Sequence, residues 1–249
     1  MGLSYSKEYE VNYYDVDSNL NCSISKLISM FSDIGNKHTE TLGYGIDEYL
    51  KEGITWVFYN YKIDIKRYPK YGEKINLTTV AEGFKKYYAV RSYEIKDEEG
   101  NVIVTGEAIF LMIDIEKRKA IKIPKKQYEV FKVEEDIKGP FKLPRIKDLD
   151  EVNFNEEFKV RYSDIDSNKH VNNTKYVEWA IETLPEEIIL NYKIENLNVI
   201  FERECKYGEK VNVYTKITRL EDGNIDTEHR IENEHNECLT KLQGHWSKI

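Results

Sequence analysis

Apolar and polar residues alternate through several long stretches of this chain. "TWVFYNYKIDIKRY" (55–68), "EKINLTTVAEG" (73–83), "YYAVRSYEIK" (87–96) and "VIVTGEAIFLMI" (102–113) are rich in Val, Ile, Thr and Tyr. Their period of two predicts antiparallel strands. Between the last two lies "DEEGN", the clearest hairpin turn. A different period precedes the strands: Ile24, Leu27, Ile28, Phe31, Ile34 and His38 recur every three or four residues, which predicts a helix with one apolar stripe. A shorter stripe of Tyr176, Val177, Ala180, Ile181 and Leu184 stops at Pro185, where a helix should end.

Both helical patterns follow nearly the same polar motif, "YYDVDSNLNCSISKL" at 13–27 and "YSDIDSNKHVNNTKY" at 162–176. Asp15, Asp17, Ser18 and Asn19 match Asp164, Asp166, Ser167 and Asn168 at an offset of 164 − 15 = 149. Downstream, "KYGEK" at 70–74 returns at 206–210, an offset of 136, and "YEIKDEEGNVIVTGEAIF" from Tyr93 aligns with "HRIENEHNECLTKLQGHW" from His229 at the same spacing. The fall of 149 − 136 = 13 places an insertion in the first half, between its motif and its "KYGEK". Two homologous halves follow, 1–132 and 157–249, joined by a linker at 133–156 whose prolines, charges and lack of periodicity carry no element. One long helix and then a run of antiparallel strands, twice over, gives an α+β chain in which each sheet wraps a helix, a description that fits the hot-dog fold.

Composition then removes several functions. With 249 residues, 40% hydrophobic and 33% charged, the chain suits a soluble globular protein. No stretch approaches the ~20 apolar residues of a membrane span, and "MGLSYSKEYEV" lacks the features of a secretory signal, so a cytoplasmic protein is expected. The net charge of −8 argues against nucleic acid or an anionic membrane as a general partner. Cys22, Cys205 and Cys238 form no close pair, which predicts reduced thiols rather than a disulfide framework or a zinc site. Alternating aspartates suggest a calcium loop, but counting from Asp164 the required glycine is Lys169 and the required glutamate is Lys175; from Asp15 they are Leu20 and Lys26. No metal is expected. Neither a nucleotide fingerprint nor a G-x-S-x-G elbow occurs.

The segments "DIDSNKHVNNTKYVEW", "FERECKYGE" and "WVFYNYKIDIKRYPKYGE" resemble the acyl-acyl carrier protein thioesterases of plant plastids and bacteria, in order and over nearly the whole chain. The resemblance implies a tandem double hot-dog that hydrolyses fatty acyl-acyl carrier protein to free fatty acid and carrier protein, ending chain elongation, with no cofactor. Acylated acyl carrier protein is then the partner, and a homodimer is an assembly the chain could adopt. Plant members carry a transit peptide, which is not seen here, so a bacterial cytosolic form is expected.

The resemblance also assigns the polar motif: Asp166, Asn168 and His170, with Glu204 ahead of the second "KYGE", become the candidate catalytic residues. A thioester carbonyl under attack becomes an oxyanion, which the Asn168 amide, a His170 N–H or backbone N–H groups could stabilise. Water needs a base, which Glu204 can be, with Asp166 orienting His170 or Asn168. Two alternatives stay open: Glu204 attacking as a nucleophile, or Cys205 acting as the nucleophile of a papain-like set with Asn168 and His170. If Glu204 and Cys205 share a strand, their side chains point to opposite faces and only one meets the substrate. Asp164, Ser167, Asn172 and Asn173 read as caps and turn formers. The run Lys117, Arg118, Lys119, Lys122, Lys125 and Lys126 reads as a solvated edge that could also meet an acidic carrier protein. His170 and Glu204 align with Asn21 and Tyr68, so one active site, built mainly from the second half, is expected. Trp56 and Phe58 are candidates for closing an acyl pocket in the first half. A hot-dog hydratase and a non-catalytic acyl-thioester-binding module remain the competing functions.

Overall fold

The computed structural model describes residues 2–139 and 141–249. The chain divides into two compact units between Leu143 and Pro144.

In the first unit β1 (Ser4–Glu10) leads through a single 3-10 turn at Tyr13–Asp15 into α1 (Ile24–Thr41). Then come α2 (Ile46–Lys51), β2 (Ile54–Ile65), β3 (Lys74–Lys85), β4 (Tyr88–Lys96), β5 (Val102–Asp114), the two-residue β6 (Lys119–Ala120) and α3 (Lys125–Val130). The antiparallel sheet runs β1-β3-β4-β5-β2, with β6 on β5. The stripe predicted for α1 is its buried face: Leu27, Phe31 and Ile34 are fully enclosed, and Phe31 stacks on Tyr93 of β4 at 4.4 Å. Gly106 of β5 permits this approach, because a Cβ there would lie 2.7 Å from the Phe31 ring.

The second unit repeats the plan. After β7 (Phe154–Lys159) and a 3-10 turn at Tyr162–Asp164 come α4 (Asn173–Glu182), α5 (Glu186–Asn191), β8 (Tyr192–Phe201), β9 (Lys210–Arg219), β10 (Ile225–Asn233) and β11 (Cys238–Lys248), in the order β7-β9-β10-β11-β8. Each unit is thus a hot-dog, and the pair is the tandem double hot-dog expected. Trp179 and Tyr176 on α4 are core residues, edge-to-face at 5.5 Å.

Three short helices escaped the sequence pattern. The insertion in the first half lengthens its helix to 18 residues against 10 for α4, as expected, and after the glycine-broken turn it adds α2. Pro185 ends α4 but also caps α5, since proline is compatible with a helix start. Helix α3 begins at the end of the basic run, with Lys125 and Lys126 in its first turn. Along the run Lys126 pairs with Glu52 and Lys117 with Asp114, while Lys119, Lys122 and Lys125 face solvent. Strand β7 begins at Phe154, inside the stretch 133–156 expected to be linker.

Candidate active site

The polar motif folds the same way in both units, and its hydrogen bonds say why these residue types recur. Asp15 and Asp164 close the 3-10 turns by accepting from the backbone N–H of Asn12 (3.0 Å) and Arg161 (2.8 Å). Asp164 is wholly buried and also takes the Arg161 guanidinium at 3.0 Å. Next, Asp17 and Asp166 each accept the N–H two residues on, from Asn19 and Asn168, both at 2.8 Å. Such short-range bonds are what Asp offers a turn. Leu20 and Lys169, at φ 59° and 65°, turn the chain back, so that Val16 bridges Cys22 and Ile165 bridges Val171.

The "KYGEK" segment receives this loop. Gly72 and Gly208 sit at φ 79° and 85°, and the glutamates of the repeat, Glu73 and Glu209, accept from the N–H of Lys70 (2.9 Å) and Lys206 (3.1 Å). One bond common to both units docks loop to turn, Cys22 N–H to the Pro69 carbonyl at 2.7 Å and Val171 N–H to the Cys205 carbonyl at 2.9 Å, and the first unit adds Tyr71 N–H to the Leu20 carbonyl at 3.0 Å. The common pairs reproduce both sequence offsets, 171 − 22 = 149 and 205 − 69 = 136.

Docking Val171 on Cys205 sets the preceding residue of each segment, His170 and Glu204, side by side. His170 Nε2 lies 3.2 Å from Glu204 Oε2, with the imidazole 16% and the carboxylate 38% exposed. Neither α4, which starts at Asn173 with Asn172 accepting from Thr174 N–H at 3.0 Å, nor β8 carries the pair. Here the structure corrects an expectation: β8 ends at Phe201, so Glu204 and Cys205 lie on the irregular segment that follows it. Their side chains still diverge. Cys205 is fully buried and donates to Glu209 Oε2 at 3.1 Å; burial first, and then that carboxylate, push its thiol up to about 12.

Asp166 serves Asn168: besides the backbone bond, its Oδ2 stands 3.5 Å from Asn168 Nδ2. Its backbone N–H also donates to the His170 carbonyl at 2.9 Å. Glu209, the partner of the thiol, was missed in the sequence; its signal was the glutamate common to both "KYGEK" copies. In the first unit the corresponding loop carries Asn21 and Tyr68 in place of His170 and Glu204. Trp56 packs against an apolar cluster of that unit, 5.9 Å from Phe84, and donates through Nε1 to the Tyr49 hydroxyl at 3.0 Å. Phe58 lies 4.4 Å from Phe110 and 4.5 Å from Tyr61. Among the described residues no group of three His, Cys, Asp or Glu side chains is placed to hold a metal ion.

Comparison with known proteins places this geometry in context. The family model for the acyl-ACP thioesterase N-terminal domain matches residues 2–133, and that for the C-terminal domain matches residues 147–248. An oleoyl-acyl carrier protein thioesterase of Arabidopsis thaliana is 25% identical over 235 residues, covering 87% of this chain and 65% of its own length. A palmitoyl-acyl carrier protein thioesterase of the same plant is 24% identical, covering 97% of this chain and 61% of its own. The chain therefore spans a little less than two thirds of these relatives. A Lactobacillus plantarum crystal structure, provisionally named an oleoyl thioesterase, superposes with a TM-score of 0.91 at 26% identity over 100% of this chain and 97% of that one. The 12:0-ACP thioesterase of Umbellularia californica shares the fold, with a TM-score of 0.85 at 19% identity over 99% and 94% of the two chains.

Proposed function

Because the chain belongs to the acyl-ACP thioesterase family, we propose that it hydrolyses fatty acyl thioesters of acyl carrier protein to the free fatty acid and the carrier thiol. The observation that carries this is the His170–Glu204 pair at 3.2 Å, held by the docked loop.

In this scheme Glu204, partly open to solvent, takes a proton from water as the oxygen adds to the thioester carbon, and the carbonyl electrons move onto oxygen. Asn168 Nδ2–H and a His170 N–H are the donors for that oxyanion, with Asp166 holding the loop that presents Asn168. Collapse of the tetrahedral intermediate breaks the carbon–sulfur bond, and the proton held by Glu204 passes to the departing thiolate, directly or through the adjacent imidazole. One water is consumed and one acid and one thiol are formed. The buried, proton-retaining Cys205 thiol supports direct attack by water over a covalent acyl-cysteine.

The test is release of free thiol from decanoyl- and longer acyl-acyl carrier proteins by the intact protein and by Glu204→Gln. Turnover that falls roughly 10² to 10⁴ fold in the variant is expected. Absence of thiol release from every acyl chain, or a fully active Glu204→Gln, overturns the proposal. Hydrated product from a trans-2-enoyl thioester, without thiol release, would instead indicate a hydratase.

A further inference from the structure

Arg91 stands on the inward face of β4 and is 7% exposed. Its cross-strand neighbours are Ala81 and Ala108, which leave the long side chain room to lie inside the unit. Nη1 is used by the protein, meeting His38 Nδ1 at 3.0 Å and Thr79 Oγ1 at 3.1 Å, and the Phe131 ring lies 5.9 Å from the guanidinium carbon. Around it are the hydroxyls of Tyr49, Tyr61 and Tyr93, and among the described residues no carboxylate pairs with it. A buried guanidinium has five N–H donors and a charge it does not give up, so its enclosure without an anion is unfavourable.

Two further donors belong to the same cluster. Gln127 is completely buried; its Oε1 accepts from the Tyr49 hydroxyl at 3.0 Å. Among the described residues its Nε2 has no hydrogen-bond partner. The buried Tyr93 hydroxyl likewise has no hydrogen-bond partner among the described residues.

The second unit acts as an internal control. At the offset of 136, Thr79, Arg91 and Tyr93 become Thr215, Thr227 and His229. There Thr215 Oγ1 bonds His229 Nδ1 and Thr183 Oγ1, both at 2.8 Å, and Thr227 Oγ1 accepts from Trp246 Nε1 at 3.0 Å. Neutral groups that answer one another fill the equivalent positions, so the fold does not require an arginine there.

We propose that Arg91, with Gln127 Nε2 and the Tyr93 hydroxyl as further donors, forms a subsite in the first unit for the carboxylate of an aliphatic chain, whose tail packs on the apolar cluster of Trp56, Phe84 and Phe131. Two sources carry that chemistry: a free fatty acid entering head first, and an acyl thioester with a carboxylate at its far end.

Calorimetric titration of the intact protein with decanoate and with decanol tests the subsite without needing turnover. Arg91→Met should weaken decanoate about 10- to 100-fold, the usual effect of losing hydrogen bonds to a charged group, and leave decanol within a few fold. Should that variant fail to fold, the carboxyl ¹³C resonance of [1-¹³C]decanoate bound to the unmodified protein answers the same question. A carboxylate paired with Arg91 loses its proton at lower pH than the free acid, whereas one lodged beside Glu204 retains it to higher pH. Titration at or above the free-acid value, or decanoate and decanol responding alike to Arg91→Met, overturns the subsite. Hydrolysis of 9-carboxynonanoyl- against decanoyl-acyl carrier protein separates the sources. A preference for the former that Arg91→Met abolishes assigns the subsite to acyl groups; no such preference, with decanoate binding lost, assigns it to free acids. If neither thioester is cleaved, the hydrolysis proposed above fails while the binding result stands.

Discussion

Cys205→Ala separates a water-activating mechanism from a covalent one. Burial and the Glu209 carboxylate raise this thiol from 9.0 to about 12, and only the thiolate is an effective nucleophile. At pH 7.5 a thiol at 9 is roughly 3% ionised, and one at 12 about 0.003%, a loss of about three orders of magnitude in reactive form. The sulfur also spends its hydrogen on Glu209, which keeps the Lys206 N–H bond when the thiol is gone. Cys205→Ala should therefore retain kcat within about threefold on decanoyl-acyl carrier protein, followed by thiol release, while thermal unfolding shows a cost of ~1–2 kcal/mol for the small buried void. A folded variant that loses 10² fold or more, or an acyl group found on Cys205 by mass spectrometry after rapid quenching, refutes the reasoning.

Three more outcomes are expected. His170→Ala should lower kcat by roughly 10² or more, whereas Asn19→Ala, in the copy that holds Asn21 and Tyr68, should stay within a few fold in the same assay; equal losses would mean that both halves carry chemistry. Buried His229 has its affinity for a proton lowered from 6.5 to about 3, so below pH 6.5 the unfolded chain binds a proton that the folded one refuses and stability falls with acid; urea unfolding at pH 7 and pH 5 should show wild type losing ~2 kcal/mol more than His229→Gln. Gly106→Ala drives a methyl group to 2.7 Å from the Phe31 ring and should destabilise the protein by ~1–3 kcal/mol in the same measurement.

Elements with strong periodicity were legible in the chain: β2, β3, β4 and β5 and the stripe of α1 follow directly from alternating and three-four spacing. The duplication was legible because two offsets, 149 and 136, bracket one insertion. What escaped were helices of about six residues, α2, α3 and α5, too short for a stripe to declare itself and held by tertiary contacts. Within the candidate site, the residue types could be read but their support could not. Glu204 and Cys205 were expected to share the strand ahead of the second "KYGE", yet β8 stops at Phe201. Glu209, which holds the thiol, announces itself only as a repeated turn residue, and the inward aim of Arg91 needed the register of "YYAVRSYEIK" against its neighbours.

The docked loop occurs twice, once with His170 and Glu204 and once with Asn21 and Tyr68, and its principal backbone bonds, Asp17 N–H to Asn21 and Cys22 N–H to Pro69 in one copy, Asp166 N–H to His170 and Val171 N–H to Cys205 in the other, recur in both. The recurring backbone bonds of this element thus form without the two side chains proposed for chemistry. Substitution of the two is expected to remove the proposed activity while the protein still expresses and melts cooperatively. A doubly substituted chain, Glu204→Gln with His170→Ala, is therefore a natural trap for an intact acyl-carrier complex, and a well-folded sample is no evidence of a working enzyme.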